Sequence, residues 1–329
     1  MKVLVTGGSG FLGAAITRQL LGRGDQVRIF ARGSYPALAS LGAEVFQGDL
    51  RQKVEVEAAF EGIDAVIHTA AKAGVWGPRE EYEGINVLGT QHILDACRAR
   101  GVRYLVFTSS PSVVMAGTDI DGADESLPYS PTYVGHYSPS KAEAERRVMA
   151  ANGSQVATVS LRPHLIWGPG DPHILPRLEK QARAGKLKRI GAGDPIIDHV
   201  FVENAAEAHV LALDKLRAGA PIGGKVYFIT NGEPIGVWTM VNSLLDAVGA
   251  PTVSSLVPRG VAYALAWVLE TVHRLLKLDG EPRLTRFAVK ELSCAHWFSI
   301  EAARRELGYQ PRISLQEGLA LLSASRKQG

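Results

Sequence analysis

Lys2-Val3-Leu4-Val5, followed at once by Thr6-Gly7-Gly8-Ser9-Gly10-Phe11-Leu12-Gly13, reads as a short apolar strand, a glycine turn and the first turn of a helix. Free backbone N–H groups and the positive end of the helix dipole then sit together, which suits a dinucleotide pyrophosphate. Gly7 makes the turn, Gly10 admits the phosphate and Gly13 lets the helix close on the strand, with Ser9, Phe11 and Leu12 beside them. A second motif, Tyr137-Ser138-Pro139-Ser140-Lys141, gives this fingerprint a chemistry. Tyrosine and lysine four apart at a helix start share one face. A lysine ammonium and a nicotinamide cation beside the phenol would favour the phenolate, so that Tyr137 can transfer a proton. Lys141 would also hold the ribose hydroxyls.

The strand Leu105-Val106-Phe107-Thr108 runs into Ser109-Ser110-Pro111-Ser112, and in a parallel sheet the carboxyl ends of strands face the ligand crevice. A serine there can hold a substrate oxygen; Thr108, Ser109 and Ser112 can equally serve local backbone.

The chain has 329 residues, enough for one large α/β domain with an appended lobe. Its 36 basic and 33 acidic residues leave a net charge of +3, which does not mark a nucleic-acid or anionic-membrane binder. Cys97 and Cys294 form no CxxC, and no metal-ligand spacing appears, so two free thiols and no metal are expected. A strand beginning at residue 2 leaves no room for a signal peptide, and a cytoplasmic location is expected.

Apolar runs at Val3 to Val5, Gln26 to Phe30, Glu44 to Phe46, Ala65 to His68, Tyr104 to Thr108, Ala157 to Leu161 and Val226 to Ile229 predict parallel strands. Amphipathic stretches at Gly13 to Arg23, Val54 to Phe60, Asn86 to Arg100, Ser138 to Ala151 and Asn204 to Leu216 predict the crossovers. The fold expected is a Rossmann-type doubly wound parallel sheet with a smaller, mostly helical C-terminal substrate lobe. The dinucleotide-binding domain would take 1–165 and 198–230, and the lobe 166–197 and 231–329, beginning at the run of prolines and glycines from Pro163 to Pro176. One lobe helix, Gly260 to Leu278, is very apolar, yet its uninterrupted run from Val261 to Leu269 is about half of what spans a bilayer. It reads first as a helix packed on the lobe core, otherwise as a lid or a surface meeting an apolar substrate, a partner or a membrane interface.

TGGSGFLG, Asp49-Leu50, His68-Thr69-Ala70-Ala71, Asn86-Val87-Leu88-Gly89-Thr90, Thr108-Ser109-Ser110, YSPSK and Arg162-Pro163 occur in the order and approximate spacing of the extended short-chain dehydrogenase/reductase family, which the chain resembles over nearly its whole length. The resemblance implies that Ser110 is the substrate-binding serine and that Asn86 braces the catalytic region. It also implies that Asp49 and Leu50 border the adenine, that Ala70 and Ala71 line the cofactor path, and that Pro163 to Leu165 approach the nicotinamide amide. A homodimer through the helices containing Asn86 to Arg100 and Ser138 to Ala151 is implied too.

An acid at the end of the second strand commonly binds the ribose 2′-hydroxyl of NAD, whereas an arginine suits a 2′-phosphate. Here Phe30 is followed by Ala31-Arg32-Gly33-Ser34 with no acid until Glu44, so NADPH is expected, with Arg32 and Ser34 beside its adenosine ribose. The Arg-x-x-Asn pattern of the family's nucleotide-sugar enzymes is absent, because Arg162-Pro163-His164-Leu165 stands in its place. Val75-Trp76, Val113-Val114-Met115, Ile166-Trp167 and Ile174-Leu175 make the expected pocket apolar. Ala70 to Gly77 and Arg162-Pro163-His164 are similar to the 3β-hydroxysteroid dehydrogenase branch, above all to the bacterial 2-alkyl-3-oxoalkanoate reductases of long-chain olefin biosynthesis. The implied reaction is reduction of a 2-alkyl-3-ketoalkanoic acid, with His164, His173, Arg177 or Lys72 as candidates for its carboxylate. Contact with other enzymes of that pathway is an associated expectation. The alternatives are a 3β-hydroxysteroid (sterol) dehydrogenase and a non-catalytic NADP(H)-sensing protein.

Overall fold

The computed structural model describes residues 1–278 and 280–327. The apolar runs pair into one seven-stranded sheet of β1 (Lys2–Thr6), β2 (Gln26–Ala31), β3 (Glu44–Gln47), β4 (Ala65–His68), β5 (Tyr104–Thr108), β6 (Ala157–Pro163) and β7 (Lys225–Ile229). The order across the sheet is β7-β6-β5-β4-β1-β2-β3, and every neighbouring pair is parallel. Val3 of β1 stands beside Val27 on one side and Ala65 on the other, so the winding reverses at β1 and β4 and opens a crevice at their carboxyl ends.

The crossovers α1 (Phe11–Gly22), α2 (Lys53–Ala59), α3 (Gly89–Arg100), α4 (Tyr137–Ala150) and α5 (Val202–Arg217) cover both faces. Period-two alternation sorts the strand residues: Val3, Val5 and Ile29 pack with Ile16, Leu20, Ala205 and Leu213 of α1 and α5. Leu4, Val66 and Leu105 pack on the other face with Ile93, Leu94 and Val148 of α3 and α4. The fold is the doubly wound one expected. Ile300, Ala303, Leu307 and Tyr309, from the tail that sequence alone assigns to the lobe, join the α1/α5 core.

The lobe combines helices Ile174–Arg183, Val237–Ala247, α6 (Arg259–Leu275) and Arg286–Glu291 with a small sheet in which Ile196–Ile197 and His296–Phe298 are flanked by Ile235–Gly236 and Ile120–Ala123. Trp238, Val241, Leu245 and Val289 fill its core. Only Ala262, Ala266 and Glu270 of α6 are buried, and its large apolar side chains point outward. That differs from a helix packed on the core by its apolar stripe. The physical reason is that the small residues, four apart, allow close approach to the lobe and leave the bulky ones no place on the inner side.

Three imidazoles are buried in neutral hydrogen-bonded positions. His68 meets Thr6 Oγ1 at 2.6 Å and Thr90 Oγ1 at 3.0 Å, His199 Nδ1 accepts from Trp167 Nε1 at 3.1 Å, and His209 meets Thr108 Oγ1 at 2.8 Å. Burial lowers their pKa values to about 3, 4 and 4. The unfolded chain takes up these protons near pH 6.5, so between pH 6.5 and 4 it binds more protons than the native state, and native stability falls as pH falls. Each imidazole steepens the fall by at most about 1.4 kcal/mol per pH unit. Buried Asp198, raised to about 7, opposes them, as do Glu125, Glu203 and Glu291, which burial also raises, while His164, lowered by burial, acts in the same sense as the three. Calorimetry at pH 7, 5.5 and 4.5 is expected to show a falling thermal midpoint, and a flat profile would contradict this account.

Candidate active site

The glycine turn is built by exclusion. Gly7 has φ +66°, and a Cβ there would lie 2.8 Å from Ala70 Cα; on Gly13 it would lie 2.1 Å from the Gly7 carbonyl oxygen. The start of α1 carries neither a capping side chain nor a first-turn acid, so its N–H groups and dipole face open space. A groove of about 450 Å³ lies over it, lined by Gly7, Ser9, Gly10, Phe11, Leu12, Gly13, Arg32, Asp49, Leu50, Ala70 and Ala71. This is a cradle that fits a dinucleotide.

Ser34 is exposed and does not line the groove; Tyr35 does instead. Arg51, Lys72 and Glu81 are further lining residues that the sequence reading did not single out for the groove. Arg51 Nη2 donates to Asp49 Oδ2 at 2.6 Å and Nε donates to Oδ1 at 3.0 Å, which holds the Asp49 carboxyl below the usual carboxylate range, with Arg32 adding to the effect. Lys72 Nζ lies 2.5 Å from Glu81 Oε2. Three cations thus face two carboxylates in the groove. The signal for Arg51 was its place directly after Asp49-Leu50.

Tyr137 opens α4, and its half-buried phenol meets the Ser110 hydroxyl. Burial holds the phenol above its ordinary range, and the Ser110 hydrogen bond works against that. The lowering expected from Lys141 is not what the protein's own groups produce. Lys141 is buried, its Nζ donates to the Thr108 carbonyl at 2.6 Å and lies 4.2 Å from the centre of the Phe107 ring, and burial pushes its pKa down to about 7. Ser110 Oγ also donates to Ser112 Oγ at 2.9 Å and accepts from the Ser112 N–H, whereas the Ser109 hydroxyl is buried without a partner.

Tyr137, Lys141 and Glu145 are spaced four apart on one face of α4. Glu145 is fully buried and forms a bidentate pair with Arg162 of β6, Nη2–Oε1 2.6 Å and Nε–Oε2 3.0 Å. Asn86 lies in a π-helical turn, Glu83–Leu88, that runs into α3. Its Oδ1 accepts from the Lys72 N–H at 2.7 Å, and its Nδ2 donates to Ser140 Oγ at 2.9 Å. Ser140 Oγ in turn donates to the Tyr137 carbonyl at 2.6 Å, so Asn86 is linked to the start of α4 through Ser140 and backbone.

Pro163 ends β6, and Leu165 just beyond it has φ +45°, an uncommon conformation for a residue with a side chain. Of the carboxylate candidates, His164 is buried against His296 and Phe298, His173 is exposed, Arg177 pairs with Glu281 at 2.8 Å and Lys72 with Glu81. The fold also gathers His164, Glu291 and His296, whose donor atoms all lie within 4.8 Å of one another. No sequence spacing signals this cluster, because it joins the end of β6 to a lobe segment more than 100 residues away.

The model of the 3-beta hydroxysteroid dehydrogenase/isomerase family matches residues 4–258. A 2-alkyl-3-oxoalkanoate reductase of Stenotrophomonas maltophilia is 48% identical over 99% of both chains. A decarboxylating sterol-4-alpha-carboxylate 3-dehydrogenase of Mus musculus is 35% identical over 97% of this chain and 89% of its own. The solved UDP-glucose 4-epimerase of Thermus thermophilus in complex with NAD superposes with a TM-score of 0.75 at 26% identity, covering 99% of each chain.

Glu145→Gln leaves Arg162 buried without its counter-charge and should cost about 3–5 kcal/mol of stability. Denaturant titration checks this, and Glu145→Leu combined with Arg162→Met should recover much of the loss. Equal losses in both variants would mean that packing, not charge pairing, holds this contact.

Proposed function

Because the chain belongs to the 3-beta hydroxysteroid dehydrogenase/isomerase family, we propose that it reduces a 2-alkyl-3-ketoalkanoic acid to the 2-alkyl-3-hydroxyalkanoic acid with NADPH. It is an oxidoreductase of the short-chain dehydrogenase/reductase type acting on CH–OH groups. The observation that carries the mechanism is the meeting of the Tyr137 phenol and the Ser110 hydroxyl at the carboxyl end of β5, with Lys141 anchored beneath and the glycine cradle alongside. The relative that shares 48% of its residues supports the substrate class.

A reduced nicotinamide, when bound, supplies the hydride. Ser110 holds the ketone oxygen, and Tyr137 donates its proton to that oxygen as the carbonyl carbon becomes C–H. Burial favours the neutral phenol, the form a proton donor needs. Lys141 holds the ribose and places a positive charge behind the tyrosinate left after transfer. Asn86 and Ser140 fix the start of α4, so the phenol is oriented before substrate arrives. Arg32 and Arg51 supply charge for a 2′-phosphate where a NAD enzyme would place an acid. The helices Asn86 to Arg100 and Ser138 to Ala151 are proposed as the homodimer contact, and the cytoplasm as the location.

A sterol substrate is the second reading, favoured by the sterol-carboxylate relative. Following reduced-nicotinamide absorbance with NADP⁺ or NAD⁺ and either a 2-alkyl-3-hydroxyalkanoic acid, a 3β-hydroxysteroid or a UDP-sugar separates the two. Signal from the hydroxy acid with NADP⁺ is expected; signal chiefly from the steroid would transfer the assignment. Tyr137→Phe should lower kcat by roughly 10²–10⁴-fold with cofactor affinity kept. Arg32→Ala and Arg51→Ala should raise the KM for NADPH by about ten-fold or more while sparing NADH, each removing one charge-assisted contact.

A further inference from the structure

Among the described residues, His164, Glu291 and His296 are brought together so that one donor atom from each lies within 4.8 Å of the others. Both imidazoles are buried, and the Nδ1 of each has no hydrogen-bond partner. His296 Nε2 donates to the Glu291 carbonyl at 2.8 Å, and because a carbonyl can only accept, this contact fixes the ring proton on Nε2. Nδ1 of the neutral ring is then a bare lone pair. Metal-ligating imidazoles are built in this way, with one nitrogen spent on a carbonyl and the other free. His164 packs edge-on against His296 and Phe298, with ring centroids at 4.9 and 5.6 Å, and Phe298 closes one side of the cluster with an apolar wall. Two buried ring nitrogens left unpaired cost stability, and a ligand between them would recover it.

We propose that His164, Glu291 and His296 bind one divalent transition-metal ion of the zinc class, with water completing a four-coordinate site. The third member of the cluster selects the sign of the ligand. Among the described residues no lysine or arginine pairs with the Glu291 carboxylate, whose nearest basic partner is His296 Nε2 at 3.9 Å. An anion such as a substrate carboxylate would meet that charge, whereas a cation neutralises it. Two imidazoles and one carboxylate suit Zn²⁺, Co²⁺ or Ni²⁺ rather than Mg²⁺ or Ca²⁺, which take oxygen ligands. Tetrahedral donors about 2.1 Å from an ion lie roughly 3.4 Å apart, so the cluster has to close by about 1.4 Å at its widest, the scale of one side-chain rotation. The side chain of Glu291 is 27% exposed, which gives the ion a way in.

The position gives the ion a task. His164 follows the last residue of β6, whereas Glu291 ends the helix Arg286–Glu291 and His296 opens the lobe strand His296–Phe298. The ion therefore staples the large sheet to the lobe at the carboxyl end of β6. Leu165, the next residue, holds φ +45°, and its carbonyl accepts from the Val200 N–H at 3.3 Å. Ligation of His164 anchors the other side of that uncommon turn. No step of the reaction proposed above passes through the ion, and the site does not depend on that reaction.

The test uses the full-length protein purified without a histidine tag, dialysed against a chelator and titrated with Co²⁺ in the absence of cofactor and substrate. The spectrum should show the intense visible bands of four-coordinate Co²⁺, saturate at one equivalent per chain and be displaced by Zn²⁺. Zn²⁺ at about 100 times its Kd should raise the thermal midpoint by roughly 4 °C. His296→Gln keeps a donor for the Glu291 carbonyl while removing the lone pair, and Glu291→Gln removes only the charge at a partly exposed position. Both variants should keep the midpoint of the chelated wild type. Each should weaken Co²⁺ binding by at least the roughly ten- to hundred-fold that loss of an outer-shell partner costs at a metal site. A pale octahedral spectrum, failure to saturate at one equivalent, an unshifted midpoint, or variants that bind as the wild type does would overturn the proposal. Should either variant unfold, the wild-type spectrum and midpoint decide alone.

Discussion

The buried Arg162–Glu145 pair is the contact on which the geometry of the site depends. It joins the last strand before the lobe to the helix that carries Tyr137 and Lys141, and it fixes that helix in both rotation and height because the pairing is bidentate. Glu145, Lys141 and Tyr137 follow one another at intervals of one helical turn. Once Glu145 is held on β6, Lys141 falls over Phe107 with its ammonium on the Thr108 carbonyl, and Tyr137 falls at the mouth of the crevice beside Ser110. The desolvation of two charges is offset by two short hydrogen bonds and by the Phe228 ring against the guanidinium. Glu145 also favours the charged form of Lys141, opposing the burial that lowers it.

A second, uncharged network holds the crevice open at the point where the winding reverses. His68 bridges Thr6 at the end of β1 to Thr90 on α3, and Thr90 donates to the Asn86 carbonyl at 2.6 Å. The cofactor cradle and the brace behind Tyr137 thus share one chain of hydrogen bonds through a neutral imidazole. Its neutrality follows from burial, with the Lys141 charge adding to the same effect.

What could be read from the sequence divides by range. The seven strands and the crossovers were legible because a strand buried on both faces is a short, continuous apolar run and each crossover carries its own amphipathic period. The glycine cradle was legible because Gly7 and Gly13 occupy places where a Cβ would collide with backbone. Long-range placement was not legible. Arg51 and Tyr35 line the groove without having been singled out, and Ser34, which was, does not, because loop direction decides which neighbour faces inward. The Ala262/Ala266 side of α6 won over its bulky side for a reason that periodicity cannot contain: the shape of the lobe surface it meets.

The protonation states bear on which form of the phenol the protein's own groups hold. Lysine and tyrosine in a motif invite the assumption that the cation lowers the phenol's pKa. In this fold the ammonium spends its hydrogen bond on the Thr108 carbonyl, and burial acts on both groups in the same sense, toward neutrality: the phenol is raised and the lysine lowered. A site biased toward neutral groups is ready to donate a phenolic proton and is poorly prepared to receive one. On the chemistry proposed for the chain, the neutral phenol held by burial is the form that donates to the ketone oxygen in the reductive direction. The brace at the start of α4 is built from amide and hydroxyl groups, Asn86 and Ser140, while the charged groups Lys141 and Glu145 follow one and two helical turns further on.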